Sequence, residues 1–162
     1  MNARIPRRCL AELQNVHFKH WDGKETIGDY CDLFVIGGAG ILTVDCMSNK
    51  PVVNAHPSII PMTLGLDSSK WAIYNRDPVG ETLYLIEAQV DSGIVLSFEH
   101  TKVFSVDTIG TLARRHYELE IEMLANVLDV LLNRVTSPYK EKPTTMRMNV
   151  ARESEVIQRF DG

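Results

Sequence analysis

The apolar run Leu33-Phe34-Val35-Ile36 constrains the fold more than any other feature of this sequence. Side chains of a strand point alternately to its two faces, so four consecutive apolar residues are typical of a strand that is buried on both sides. The pair Val52-Val53 indicates a second strand of the same kind. Such strands belong to mainly parallel sheets that helices cover on both faces. We therefore expect an α/β fold.

Periodicity predicts the other elements. Apolar residues recur at helical spacing from Asp107 to Asn133, which predicts one long helix. Two β-rich segments flank the turn-like sequence Val90-Asp91-Ser92-Gly93 and predict a pair of neighbouring strands. The predicted helices span 6–14, 66–76, 107–133 and 152–160, with a helical turn over 22–30, and the other predicted strands span 16–20, 81–86 and 94–103. The alternation of strands and helices predicts a single α/β domain over residues 1–162, with a mainly parallel sheet.

The composition excludes several classes of protein. Of the 162 residues, 44% are apolar and 23% are charged, which excludes disordered, collagen-like and coiled-coil chains. The net charge of −4, without a long run of one sign, argues against a nucleic-acid partner. No apolar run approaches the roughly 18 residues of a membrane span, and no apolar segment follows the basic N-terminus as in a secretory signal. We expect a cytoplasmic protein with no nucleic-acid or membrane partner.

The three cysteines, Cys9, Cys31 and Cys46, cannot all pair with one another. None of them lies in a CxxC motif, and the histidines form no cluster at the spacing of a zinc site. Reduced thiols are the ordinary state of cysteines in a cytosolic protein. We therefore expect three free thiols and no metal.

Polar residues follow the strand that begins at Val52. Asn54 and His56 are two residues apart, so on an extended backbone their side chains share one face. Acyl transfer needs an amide that donates a hydrogen bond to an oxyanion, beside an imidazole that takes or relays a proton. The alternative is a capping asparagine and a histidine that satisfies a buried carbonyl. Spacing alone leaves both interpretations open.

Two turn-like segments supply further candidates. The sequence Gly37-Gly38-Ala39-Gly40 lets backbone approach a ligand closely, but it lacks the GxGxxG spacing, so a tight turn is an equally good interpretation. Asp91, before Ser92-Gly93, is by itself typical of a turn. Beside a histidine on a neighbouring strand, an aspartate would orient the ring and raise its pKa. The sequence does not show whether Asp91 meets His56.

Five segments, in this order, resemble the folate-dependent formyltransferases. They are Asp32–Gly38, Asn54–Pro61, Lys70–Ile73, Asp77–Leu83 and Val90–Leu96. The Asn-x-His-Pro-Ser block is the most specific of them, and the Asp-Ser-Gly block follows at the family's distance. The family includes glycinamide ribonucleotide, methionyl-tRNA and sugar N-formyltransferases. The resemblance implies a Rossmann-like formyltransferase fold.

The resemblance also implies a reaction. A formyl group passes from 10-formyltetrahydrofolate to a primary amine, with Asn54, His56 and Asp91 as the catalytic residues. The family's pterin pocket corresponds to Gly38, Ala39, Gly40, Ile41 and Leu42 on one side and to Ala88, Gln89 and Val90 on the other. A nucleotide-linked amino sugar is the expected acceptor. The alternatives are a glycinamide ribonucleotide or methionyl-tRNA formyltransferase-like enzyme, and a non-catalytic folate-binding remnant.

The family's first strand and loop have no counterpart before Pro6 in this sequence. The resemblance therefore implies a catalytic domain that is partial at its N-terminus. In a doubly wound sheet the first strand would lie beside segment 32–37. Without it, that segment would present unpaired N–H and C=O groups, which invite pairing with another chain or with segment 15–20. We therefore expect a homo-oligomer.

Overall fold

Five strands form one sheet in the part of the chain that the structure describes. The structure is a computed structural model, and it describes residues 9, 11, 13–17, 32–37, 50–86, 93–133, 137–138 and 144–161. The strands are β1 (Phe34–Ile36), β2 (Val52–His56), β3 (Gly80–Ile86), β4 (Gly93–His100) and β5 (Ser137–Pro138). The helices are α1 (Ser68–Asn75), α2 (Ile109–Ala125), α3 (Val127–Leu132) and α4 (Val150–Asp161). The strand order is β1-β2-β3-β4-β5.

The strand directions differ from those of the expected mainly parallel sheet. Strands β1 and β2 are parallel, whereas the pairs β2–β3, β3–β4 and β4–β5 are antiparallel. Residues 87–92, which join β3 to β4, are too few for a parallel crossover, which needs about a dozen residues or more. The strand pair predicted over 81–86 and 94–103 is confirmed. The α/β class is also confirmed. In the described part of the sheet, however, three of the four strand pairs are antiparallel, which differs from the mainly parallel sheet that the sequence predicts.

Strand β1 is less buried than its sequence predicts. The Val35 side chain is 44% exposed, although Val53, its partner on β2, is fully buried. Helix α2 packs over β2 and β3, and α3 packs over β4, while β1 lies at the edge of the described strands. The burial of a strand depends on what packs against it, and an apolar run does not determine this. The expectation of burial on both faces is therefore wrong for Val35.

The two faces of the sheet bury different sets of side chains. On one face, α2 and α3 cover the strand residues Val53, Ala55, Leu83 and Leu96. The helices contribute Met123 and Val127 to the same cluster. The other face buries Ile60, Leu64 and Tyr84. Because side chains alternate along a strand, Asn54 and His56 lie on this second face, away from α2.

The long helix predicted over 107–133 is two helices in the structure. Asn126, with φ −95° and ψ 12°, separates α2 from α3. Thr108 is the N-cap of α2: its hydroxyl accepts a hydrogen bond from the N–H of Thr111, and the Thr111 hydroxyl accepts one from the N–H of Thr108. This reciprocal capping satisfies two N–H groups that the first helical turn leaves without partners. The helix begins at Ile109, two residues after the predicted start at Asp107.

The shorter predicted elements are described in part. The helix predicted over 66–76 is confirmed as Ser68–Asn75, and the one over 152–160 as Val150–Asp161. Within the helix predicted over 6–14, the described residues Cys9, Ala11 and Leu13 are helical, and the described Val16 and His17 belong to no strand. The helical turn over 22–30, Cys31 and Cys46 lie outside the described residues.

Neither a membrane-spanning helix nor a metal-binding group of side chains occurs among the described residues. None of the helices described is long and apolar enough to cross a membrane. Within the same ranges, no three His, Cys, Asp or Glu side chains are grouped so as to hold a metal ion.

Candidate functional site

Asn54 and His56 lie at the carboxyl end of β2, and their side chains share one face, as their spacing predicts. Across the sheet, Asn54 pairs with Tyr84 and His56 pairs with Thr82, both on β3. The flanking residues Val53 and Ala55 anchor β2 to the core under α2. The strand thus fixes the positions of the amide and the imidazole, because the residues that alternate with them are buried.

The Asn54 side chain is held by a tyrosine. Its Nδ2 donates a hydrogen bond to the hydroxyl of Tyr84 over 3.1 Å. A carboxamide carries two N–H donors, so this bond uses one of them and fixes the plane of the group. Asn54 belongs to the strand itself and caps no described helix, so the alternative of a capping asparagine is not supported.

His56 is 5% exposed. Its Nε2 lies 3.3 Å from the carbonyl oxygen of Thr63, and its ring meets the Tyr84 ring edge-on at 6.4 Å between centroids. A carbonyl oxygen can only accept, so Nε2 is the donor in this contact. A purely structural histidine would make the same contact, so the described geometry agrees with both interpretations of His56.

The loop after His56 is fixed to β3 by buried hydroxyl groups. The Thr82 hydroxyl donates to the carbonyl of Ser58 over 2.7 Å and accepts from the N–H of Ile60 over 3.1 Å. The Ser58 hydroxyl donates to the same Thr63 carbonyl that His56 contacts. Ser58, the serine of the Asn-x-His-Pro-Ser block, therefore holds in place the Thr63 carbonyl oxygen that His56 contacts.

Three supporting residues, Tyr84, Thr82 and Thr63, were missed by reasoning from the sequence. Thr82 and Tyr84 alternate with apolar residues on β3, and this alternation was the only signal for them. Their partners on β2 and its loop are distant in sequence, so only the β2–β3 register reveals the contacts.

The other predicted site residues lie outside the described residues. They are the catalytic candidate Asp91 and the pocket candidates Gly38, Ala39, Gly40, Ile41, Leu42, Ala88, Gln89 and Val90. The structure therefore describes the asparagine–histidine half of the candidate site.

Solved structures share the fold of this chain. A formyltransferase called PseJ from Anoxybacillus kamchatkensis superimposes with a TM-score of 0.66 at 16% identity, over 97% of this chain and 90% of that chain. That structure is a complex with UDP-4,6-dideoxy-4-formamido-L-AltNAc and tetrahydrofolate. A sugar N-formyltransferase from a Shewanella species gives a TM-score of 0.62 at 21% identity, over 82% of this chain and 61% of that chain. These similarities confirm the Rossmann-like formyltransferase fold.

The sequence is also similar to curated proteins. The methionyl-tRNA formyltransferase of Roseiflexus castenholzii is 30% identical over 114 residues, which are 68% of this chain and 36% of that protein. The chain thus spans about a third of the length of this relative. The sequence model of the family described as "Formyl transferase" matches residues 33–128, more than half of the 162 residues, and this range contains Asn54, His56 and Asp91. The chain belongs to the folate-dependent formyltransferase family.

Proposed function

We propose that this chain transfers the formyl group of 10-formyltetrahydrofolate to a primary amine. The observation that carries the proposal is the pair Asn54 and His56, held on one face at the end of β2 within the region that matches the family. An amide donor beside an imidazole suits the oxyanion and the proton transfers of an acyl transfer.

The proposed reaction has two steps, which are attack of the amine on the formyl carbon and collapse of the resulting oxyanion. The amine nitrogen attacks the formyl carbon, a C–N bond forms, and the carbonyl electrons move onto oxygen. The second N–H of the Asn54 amide and the His56 imidazole stabilise this oxyanion. On collapse, the bond from the formyl carbon to N10 of the folate breaks. The amine nitrogen loses a proton and N10 gains one, with Asp91 assisting these transfers.

Covalent geometry is compatible with the role proposed for Asp91. It precedes Gly93 by two residues, so their Cα atoms are within about 7.6 Å of each other. Gly93 begins β4 opposite Ile86, two strands away from β2. Strand spacings put the Gly93 Cα about 12 Å from that of Asn54 and about 16 Å from that of His56. These separations are compatible with a role for Asp91 beside Asn54.

The folate is proposed to bind between segment 38–42 and segment 88–93. Support comes from the resemblance of these segments to the family's pterin pocket, and from the fold shared with a formyltransferase whose structure contains tetrahydrofolate. Backbone donors and acceptors of such segments suit the polar edge of a pterin.

A nucleotide-linked amino sugar is the proposed acceptor. By structural superposition, the chain matches 90% of the length of a formyltransferase solved with a nucleotide-linked formamido sugar, against 52% of the length of a solved methionyl-tRNA formyltransferase. The methionyl-tRNA and glycinamide ribonucleotide acceptors remain the alternatives within the family.

Trp71 lies in the segment Lys70–Ile73, which resembles the family, and a tryptophan there is similar to the sugar enzymes. Its indole N–H donates a hydrogen bond to the carbonyl of Met146 over 2.7 Å. In the structure, Trp71 therefore connects α1 to the segment before α4.

The proposal is tested by release of tetrahydrofolate from 10-formyltetrahydrofolate in the presence of each acceptor. We expect turnover with a UDP-linked 4-amino sugar, and none with glycinamide ribonucleotide or charged methionyl-tRNA. Calorimetry with a folate analogue is run in parallel. Binding without turnover on any acceptor would favour the folate-binding remnant, and the absence of both would overturn the proposal.

We also propose that the chain forms a homo-oligomer through the open edge of β1. In the described strands, β1 pairs with β2 alone, and Val35 on it is exposed. Light scattering should give a dimer or larger species. Val35→Glu should shift it toward the monomer, whereas Val106→Glu, at another exposed valine outside the sheet, should not. A monomeric parent chain would contradict the proposal.

A further inference from the structure

A cavity of about 260 Å³ lies between α1 and α2. Its walls are largely apolar, and its lining includes Ile73, Val79, Ile109, Leu112 and Ala113. The polar side chains Lys70, His116 and Glu120 also line it. Helix α2 covers the sheet face opposite to the one that carries Asn54 and His56. The cavity is therefore separate from the candidate formyl-transfer site.

A buried acid–imidazole pair lies beside this cavity. His116 Nε2 is 2.9 Å from Oε1 of Glu81, which is fully buried, and His116 Nδ1 is 2.7 Å from the hydroxyl of Thr101. Neither Glu81 oxygen has an aligned hydrogen bond to the described residues, so Oε1 lies off the ring N–H direction. His116 therefore faces the buried Glu81 carboxyl with one ring nitrogen and the Thr101 hydroxyl with the other, so both nitrogens are directed away from a group in the cavity.

Glu120 follows His116 by one helical turn and brings a carboxylate to the cavity. In the described part of the chain, this carboxylate has no hydrogen bond and no ion pair, and burial raises its pKa, which the nearby His116 offsets only in part. Lys70 does not compensate it, because its Nζ is held by Asp67 at 3.2 Å and by Glu153 at 2.6 Å. The cavity therefore combines apolar walls with one carboxylate that no cationic side chain of the described residues contacts directly.

We propose that this cavity binds an organic ammonium ion with an apolar body, with Glu120 as its counter-ion. Charge complementarity selects the cation, since an ammonium group would give Glu120 the charge-assisted hydrogen bond that it lacks. The size is adequate: an apolar cavity of about 150 Å³ accepts benzene. A volume of about 260 Å³ therefore has room for a phenyl ring with a two-carbon ammonium arm. This inference does not depend on formyl transfer.

The test uses three probes of similar shape and different charge. The cation 2-phenylethylammonium, the neutral 2-phenylethanol and the anion 3-phenylpropionate are titrated into the full chain at neutral pH and followed by calorimetry. We expect saturable binding of the cation at millimolar concentration or below, and at least about tenfold weaker binding of the other two. Equal binding of the three probes, or no saturable binding of the cation, would overturn the proposal.

Three variants locate the site. Glu120→Gln keeps the shape of the side chain and removes its charge, so it should weaken cation binding by about tenfold or more. Ala113→Leu should block the cavity without changing its charge. Glu122→Gln is the matched control, because Glu122 is an exposed glutamate on the same helix that does not line the cavity. Unchanged cation binding in Glu120→Gln, or an equal loss in Glu122→Gln, would contradict the assignment.

Discussion

Replacement of His56 by alanine is expected to lower kcat for formyl transfer by about 10²–10⁴-fold, the usual contribution of a positioned acid–base group. The affinity for a folate analogue should change much less, because the imidazole is proposed to act on the reacting atoms rather than on the pterin. Steady-state kcat, together with a calorimetric Kd, separates the two effects. A loss of folate affinity with kcat preserved would show that His56 only shapes the pocket.

Replacement of His56 by glutamine separates a catalytic role from a structural one. Glutamine can still donate an N–H to the Thr63 carbonyl, which His56 contacts at 3.3 Å, but it does not titrate near neutral pH. If His56 handles a proton, His56→Gln should be nearly as inactive as His56→Ala, although its thermal unfolding is close to that of the parent. A His56→Gln variant with most of the parent kcat would assign His56 a structural role.

Replacement of Tyr84 by phenylalanine is expected to lower kcat for the same reaction by a smaller factor. It removes only the hydroxyl that accepts from Asn54 Nδ2, so the amide remains present with less fixed orientation. The loss of kcat should therefore be smaller than for His56→Ala. The aromatic ring that packs beside Ile60 and Leu64 is kept, so the fold is preserved.

Local patterns in the sequence predicted where most elements lie. The spacing of Asn54 and His56 correctly predicted a shared face, since alternation along a strand is a local property. Strand direction is not a local property, because a β-rich segment has the same alternation in a parallel and an antiparallel pair. The sequence therefore located β3 but did not give its antiparallel pairing with β2.

Contacts between distant residues could not be predicted. The bond from Asn54 to Tyr84 depends on the β2–β3 register, which no residue of either strand specifies alone. The pair of Glu81 and His116 likewise requires α2 to lie over β3. Periodicity also ran through Asn126, where the structure divides one predicted helix into two. In each case the decisive interaction joins two elements, whereas the pattern describes only one.

The buried pair of Glu81 and His116 leads to the second large expected effect, on stability. His116→Ala leaves the fully buried Glu81 carboxyl without the imidazole nitrogen that lies 2.9 Å from it. A buried polar group that loses its partner typically costs about 1–3 kcal/mol in the free energy of unfolding, and more where the group is charged. Urea unfolding at neutral pH measures this loss. A destabilisation of less than about 1 kcal/mol would contradict the role given to the pair.

The loss in His116→Ala should depend on pH in a defined direction. Burial raises the pKa of Glu81 above its ordinary value of about 4.5, and His116 lowers it, so the variant should have the higher folded-state pKa. A carboxyl with a raised folded-state pKa stabilises the fold fully below its unfolded pKa, and this contribution is lost as the pH rises through the folded-state pKa. The deficit of His116→Ala relative to the parent should therefore be small near pH 4 and grow toward neutral pH. A deficit that is equal at all pH values would contradict this mechanism.

A double variant provides the matched control for the charge argument. Glu81→Met combined with His116→Leu removes the acid and the imidazole together and leaves apolar side chains of similar volume. Replacement of a whole buried ion pair in this way is often neutral or stabilising, so the double variant should unfold close to the parent at neutral pH. Its stability should also vary less with pH than that of His116→Ala, because no buried carboxylate remains to titrate. If the double variant were as unstable as His116→Ala, the loss would come from packing of the imidazole against β3 and Thr101 rather than from the unpaired carboxyl of Glu81.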